Sequence, residues 1–523
     1  MTRSDDILDA PLLWLSPHDA ITHRDLNQNV LVLGSPGAGK TTGTGSTLLK
    51  AMLLSGAGGL ALCAKPDEAY QIRLIARACG REDSLLEWDG SIPGFNYLSY
   101  VMALSGSAGL NNVIEAVMDV EELARNVGAN PGRASDEFWT ASKLQVLRAG
   151  IPPIYAATGT VRIDDILRFV RSAPLSIDQM SDPAWQSRSY FFWVFWQARG
   201  RMPDVIAERA LDYWRYDFAS LDPKTRSNIV ISLTTALDRF NHGWLRTAFC
   251  EETTIVPEMS FAGKVIVCNM PALTLHQDGI LAQQIFKLFW QRAVLSRNGL
   301  DPQHRVRPVF LYADEAQYFL TPHDAAFLST CRGSRASTIY LAQSLPTFYA
   351  SMGGENARDR VHHLLGNFGT RVWHSNACAE TNEWAARTLG KIMHQRSNYS
   401  SSEGSSTSYG MNMGAGTNTG SNWNHSSGHS GNMRGSSYNH QGSSGGSAGD
   451  SDNWGRNRGS GSNWGSSQGW SEQVDWVLEP GLFGRFLKTG GPAHGGRISA
   501  VWYQAGRRFV ASSGNSLLAE FQQ

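Results

Sequence analysis

The sequence predicts an α/β fold built around a parallel sheet, on three observations. Short apolar runs recur at Val30–Leu33, Gly59–Ala64, Val265–Asn269, Pro308–Ala313, Thr338–Ala342 and Thr370–His374, with helical patterns between several of them. The first run enters a glycine-punctuated loop that ends in Lys-Thr and opens a helix. The fourth ends in two adjacent carboxylates, Asp314 and Glu315.

Val30–Leu33 leads directly into Gly34, Ser35, Pro36, Gly37, Ala38, Gly39, Lys40, Thr41 and Thr42. This is G-x-x-x-x-G-K-[ST] in a strand–loop–helix setting, the pattern of a phosphate-binding loop. Glycines at 37 and 39 let the backbone turn tightly enough for successive N–H groups to face phosphate oxygens. The helix that follows adds its positive end. Lys40 is expected to reach the β- and γ-phosphates, and the Thr41 hydroxyl to ligate Mg²⁺. The expected ligands of Gly34–Thr42 are therefore ATP and Mg²⁺.

Pro308–Ala313 with Asp314-Glu315 has the form of a Walker B element. Asp314 is expected in the Mg²⁺ shell, and Glu315 beside it to orient and deprotonate the attacking water. Thr338–Ala342 ends in Gln343-Ser344, which sets an amide at the carboxyl edge of the sheet, where such folds hold their ligand. Gln343 is thus a candidate for contacting the γ-phosphate or its water. Upstream, Cys331-Arg332-Gly333-Ser334-Arg335 offers a candidate arginine for a neighbouring subunit's site; on spacing alone an ordinary surface arginine is the default reading.

About 270 residues separate Lys40 from Asp314, far more than a compact nucleotide-binding core needs, so an insertion is expected at roughly 101–255. Its pattern is helical. Ile163, Ile166, Leu167 and Val170 share one face. Asp222-Pro223 offers a cap with proline at the first helical position, followed by the stripe Ile229, Leu233, Leu237 and Phe240. Ser135-Asp136-Glu137 starts a third helix with acids in its first turn. The aromatic run Phe191–Trp196 reads as core packing, with a ligand platform as the alternative.

Residues 396–471 change to Ser, Gly, Asn and His with scattered Trp, too few apolar side chains to offset ordering entropy, and disorder is expected there. After it, Ile498–Tyr503, a turn at Ala505-Gly506 and Arg508–Val510 predict a closing hairpin. The domain boundaries that follow are 1–100 and 256–395 for the two parts of the nucleotide-binding domain and 101–255 for the all-α insertion. They continue with 396–471 for the polar segment and 472–523 for the closing strands and tail.

Of 523 residues, 41% are hydrophobic, sufficient for a large core. Lys+Arg and Asp+Glu both number 46, so nucleic-acid contact must come from local basic surface and not from a global field. The six cysteines show no metal-ligand spacing, and a reducing compartment is expected. No secretory signal and no run of about 20 apolar residues is present, so the chain reads as cytoplasmic without an intrinsic membrane span, with a peripheral place at the inner face of the membrane left open.

On these motifs the chain resembles the type IV coupling proteins of conjugation and secretion (the TraG/TraD group), within the FtsK/HerA superfamily of P-loop ATPases. Gly34–Thr41 resembles the family's Walker A and Asp314-Glu315 its Walker B. Leu62–Glu68 resembles the D-x-K-G-E turn, with Ala64 where Asp is frequent, and Gly94–Leu98 the F-N-P-L segment. Arg332, eleven residues before Gln343, falls where the family carries its arginine and Gln-Ser elements, although Cys331-Arg332-Gly333 reverses the usual Gly-Arg order and keeps Arg335 as a rival. The resemblance implies a RecA-like P-loop nucleotide-binding domain with an inserted all-α domain. It also implies a homo-oligomeric ring, expected as a hexamer, that hydrolyses ATP to move DNA. Secretion-channel or relaxosome-type proteins are the implied partners. An ATP-dependent adaptor that delivers protein cargo is the alternative function, and a nucleotide-sensing switch with negligible turnover a third.

Overall fold

The computed structural model describes residues 6–105, 109–128, 137–411, 420–432, 435–447 and 456–523. The chain forms two compact units, Met1–Glu383 with Pro480–Gln523, and Trp384–Glu479.

In the first unit, β1 (Pro11–Ser16) and β2 (Asp19–Thr22) pair as a hairpin that leads into β3 (Val30–Leu33), the strand before the glycine loop. It is followed by β4 (Gly58–Leu62), β5 (Leu85–Trp88), β6 (Val265–Cys268), β7 (Val309–Ala313), β8 (Ala336–Ala342) and β9 (Thr370–Trp373). The second unit holds β10 (Lys391–Met411), β11 (Gly420–Asn432), β12 (Gly435–Ser447) and β13 (Arg456–Trp476), and the chain closes in the first unit with β14 (Arg497–Gln504) and β15 (Ser516–Gln522).

The main sheet has nine strands in the order β15-β14-β9-β3-β8-β7-β4-β6-β5. From β9 to β5 all neighbours are parallel, and β14 and β15 add an antiparallel edge. All residues of β3, β4, β6, β7 and β8 are buried, as expected of parallel strands covered on both faces. β8 lies between β3 and β7, so the glycine loop after β3, the carboxylates after β7 and Gln343 after β8 emerge side by side at one edge.

All six runs named from the sequence are strands. β5 and the β1–β2 hairpin were not foreseen: they are short, and their alternation is too weak to stand out. The closing hairpin differs from expectation. Its return strand is β15, not Arg508–Val510, because the Asp19 carboxylate accepts the N–H groups of Val510 and Ala511 at 2.7 and 3.1 Å and holds that segment as a loop over buried Phe509. In β15 burial alternates, with Ala519 and Phe521 inward.

Between β5 and β6 the described chain is helical. Ile163, Ile166, Leu167 and Val170 are all buried on helix Ile163–Arg171. Asp222 caps helix Pro223–Asp238 by accepting the N–H groups of Lys224 and Thr225, and Ile229, Leu233, Leu237 and Phe240 are buried. The third expected helix runs Glu137–Thr158; Ser135 and Asp136 lie outside the described residues. The aromatic run divides. Phe191 packs with Phe169 and Trp214 in the core, whereas Trp193 and Trp196 remain 43% and 57% exposed.

In the second unit, β10 pairs antiparallel with β13 and β11 with β12. The polar stretch 396–471 falls largely here, and the composition argument did not foresee backbone pairing. Parts of that stretch, 412–419, 433–434 and 448–455, lie outside the described residues, and its deficit of apolar side chains stands as the composition shows.

Candidate nucleotide site

The glycine loop needs its glycines for stated reasons. Gly39 has φ +85°, and a Cβ there would come within 2.6 Å of Ile498 Cδ1 from β14. A Cβ on Gly34 would lie 2.6 Å from the His374 Cβ at the end of β9. Ser35 is fixed from the same side: its N–H donates to Ser375 O at 2.9 Å, and its Oγ accepts the Ala377 N–H at 2.9 Å. Pro36 and Gly37 form the exposed tip, and Ala38 is buried beneath it. The helix opens with a wide π-helical turn at Lys40–Gly45 before Ser46–Leu54 becomes α-helical, a distortion frequent at functional sites.

Lys40 is buried, and its Nζ donates to Ser35 O at 3.2 Å. Burial pushes its pKa down, against the opposing pull of Glu315 and Asp314. The Thr41 hydroxyl donates to Asp314 Oδ2 at 2.6 Å, closing a contact across 273 residues of sequence. Thr42, next in the chain, is exposed. Asp314 Oδ1 accepts the Glu315 N–H at 2.9 Å. Glu315 has a left-handed backbone, φ 52°. Burial alone would raise the Glu315 pKa, but the Gln317 hydrogen bond (2.9 Å) and the Lys65 and Lys40 charges outweigh it and hold the carboxyl below its usual range. The Gln343 side-chain amide lies 3.4 Å from Glu315 Oε2, and the Gln343 backbone O accepts from Asn376 Nδ2.

The structure adds three residues to which the sequence reading gave no role. Lys65, after β4, sets its ammonium 3.3 Å from Glu315 Oε1 and 3.6 Å from both Asp314 Oδ2 and Glu68 Oε1. Burial lowers its pKa, but these carboxylates outweigh that and raise it. Glu68 accepts the Ala64 N–H at 2.6 Å, and burial, then the Asp314 charge, push its pKa up to about 7. His374 shares a 2.8 Å hydrogen bond with Thr44, and burial, then the Lys40 charge, lower its pKa to about 3, so it is neutral. Lys65 and Glu68 stand in the turn likened to D-x-K-G-E, which was their available signal. Nothing in the sequence marks His374.

The arginines lie elsewhere. Both precede β8, at the sheet edge opposite the glycine loop, and β8 itself spans roughly 20 Å. Arg335 is tied down, its Nη1 donating to Val306 O at 3.0 Å. Arg332 is exposed, with no side-chain partner among the described residues. Within one subunit neither reaches the site.

The donors suit a magnesium ion. A hydroxyl and a carboxylate oxygen converge, and no group of three His, Cys, Asp or Glu side chains able to hold a metal occurs among the described residues. Mg²⁺ is typically held by one or two carboxylates, with waters and substrate phosphates completing its shell. All six cysteines are free. No helix among the described residues is long and apolar enough to cross a membrane.

Residues 308–444 match the family described as the TraM recognition site of TraD and TraG. No curated protein matches the chain at a significant level. Among solved structures, the chain is similar to the plasmid coupling protein TrwB in complex with the non-hydrolysable GTP analogue GDPNP: 12% identity, 96% of this chain and 87% of that one covered, TM-score 0.50. It is likewise similar to bacterial conjugative coupling protein TrwBdeltaN70 with sulphate, at 13% identity, 96% and 86% coverage and TM-score 0.50. The chain thus carries, at 308–444, a segment that matches the TraD/TraG family, within a fold similar to that of the coupling protein TrwB.

Proposed function

We propose that the chain is an ATPase that binds ATP with Mg²⁺ and couples its hydrolysis, in a homo-oligomeric ring, to DNA translocation. The observation that carries the reading is the 2.6 Å contact of Thr41 with Asp314, which joins the glycine loop to the paired carboxylates. Gly34–Thr42 cradle the triphosphate, with Lys40 directed to its β- and γ-phosphates. Thr41 and Asp314 hold the ion, which when bound offsets charge on the phosphate oxygens. Glu315, kept ionised, accepts a hydrogen bond from the attacking water and aligns it, and Gln343 beside it reads the γ-phosphate. Lys65 balances the carboxylate cluster. Arg332, unpaired at the opposite edge, supplies a positive charge to the neighbouring subunit's site. The similar TrwB structure is a complex with a GTP analogue, which supports the nucleotide assignment by analogy of fold.

The test is ATP hydrolysis with and without DNA. DNA should stimulate turnover, and Lys40→Ala or Glu315→Gln should lower it at least 100-fold; of the two, only Glu315→Gln should retain nucleotide binding. Turnover indifferent to every form of DNA would remove translocation from the reading. A second reading, an adaptor delivering protein cargo, is favoured by the match of 308–444 to a TraM recognition site. It supports relaxosome-type protein partners and is compatible with DNA as cargo. Capture of a protein partner that stimulates turnover when DNA does not would prefer it.

A further inference from the structure

A groove of about 880 Å³ lies away from the nucleotide site, on the helical region between helix Ile163–Arg171 and helix Tyr190–Ala198. Three arginines, Arg162, Arg168 and Arg188, line it, against the single carboxylate of Asp165. Asp165 is engaged, accepting the Tyr190 hydroxyl at 2.6 Å. Arg162 and Arg188 are exposed and make no ion pair among the described residues. The lining therefore carries unspent positive charge in a chain whose formal net charge is zero.

Its aromatic side chains are arranged face to face. The Arg168 guanidinium sits 4.2 Å over the Tyr190 ring, and Tyr190 stacks on Trp193 with centroids 5.3 Å apart and planes 18° from parallel. Phe192 and Trp196 form a second stack, 25° from parallel, with Arg199 5.0 Å over the Trp196 ring. Tyr190, Trp193 and Trp196 recur every third residue, so they share a helix face. The two tryptophans are about half exposed, although Phe191 and Val194 between them supply the core contact this helix needs. Core packing thus explains one side of the helix and not the other.

We propose that this groove is a stacking site for a short run of single-stranded nucleic acid. The half-exposed indoles of Trp193 and Trp196 suit bases, which all have a π-face, and the guanidiniums of Arg162 and Arg188, which make no ion pair among the described residues, suit the phosphates that join them. An acidic peptide would satisfy the arginines and leave the ring faces unused. The site is distinct from the nucleotide site, and its occupancy does not depend on hydrolysis.

The experiment uses the full chain without nucleotide and a fluorescein-labelled 16-mer of thymidine, read by anisotropy at two salt concentrations. Trp193→Ala/Trp196→Ala and Arg162→Ala/Arg188→Ala should each weaken binding at least about 10-fold. The arginine pair should also flatten the salt dependence, whereas Trp193→Phe/Trp196→Phe should recover most of the affinity. Basal ATP hydrolysis should be unchanged in all three. Photocrosslinking with an iodouracil-substituted 16-mer should map to residues 188–199. Affinities within twofold of wild type together with crosslinks elsewhere would overturn the groove while leaving DNA-stimulated hydrolysis intact, so this inference and the motor reading fail separately. Displacement of the 16-mer by polyglutamate at equal charge would also overturn it, in favour of an acidic peptide.

Discussion

At Glu68 the folded environment sets a proton. The carboxyl titrates near 4.5 as a free side chain and at about 7 in the fold, because burial and then the Asp314 charge disfavour its anion. Between those values the folded state holds the extra proton. The stability contribution is therefore full below pH 4.5 and lost as pH rises through 7. Glu68→Gln should unfold at higher urea than wild type at pH 8, by about 1–3 kcal/mol, with the gap closing toward pH 5. A gap independent of pH would contradict this. Lys65 invites a different measurement. Without its ammonium, Asp314, Glu315 and Glu68 face one another uncompensated, so Lys65→Ala should gain thermal stability on adding Mg²⁺ without nucleotide, and wild type should not. The loop residues Gly34–Thr42 and the Asp314-Glu315 pair were legible because their spacing is itself the signal. His374 was not, since a lone histidine acquires meaning only from the Gly34 and Thr44 it happens to meet.

Elements show the same division. Apolar strands and the helix stripes at 163–170 and 229–240 were readable because burial on one or both faces imposes a period on the letters. Helix Ala272–Ser296 was opaque, since it buries Gln283, Gln284, Lys287 and Gln291. Polar letters on a helix read as a solvated face, yet here each meets a partner. Gln283 brackets Cys63, accepting its N–H and donating to its O, and Lys287 forms an ion pair with Asp324 in which neither side chain is exposed. Asp324 also accepts from Gln291, Tyr340 and the Thr321 N–H. Asp324→Ala would strand the lysine and should cost about 3–5 kcal/mol in urea unfolding, whereas Lys287→Met/Asp324→Leu should recover much of that loss. If the double substitution is as damaging as the single one, the cost lies in packing and not in the orphaned charge.

For the whole molecule, the strand order puts the carboxyl ends of β3, β8 and β7 at one edge and the Arg332 turn at the other. A subunit built this way offers an acceptor site on one side and a free arginine on the opposite side, the arrangement a head-to-tail ring requires. Mixing Arg332→Ala with Lys40→Ala subunits should restore part of the hydrolysis that each lacks alone, measured against the unmixed proteins. No recovery in intact assemblies would assign Arg332 a structural role. Electron microscopy with a non-hydrolysable ATP analogue, with and without duplex DNA, reads assembly and cargo together.

The sequence by itself determined that a glycine loop of the phosphate-binding pattern follows an apolar strand, that two carboxylates end another, and that a helical insertion separates them, because each is a local pattern enforced by backbone geometry or burial period. Only the tertiary structure decided that Thr41 and Asp314 touch, that Lys65 balances the carboxylates of Asp314, Glu315 and Glu68, and that half of an aromatic helix faces outward. Those facts depend on which distant segments meet, and the order of strands in a sheet is not written in any one of them.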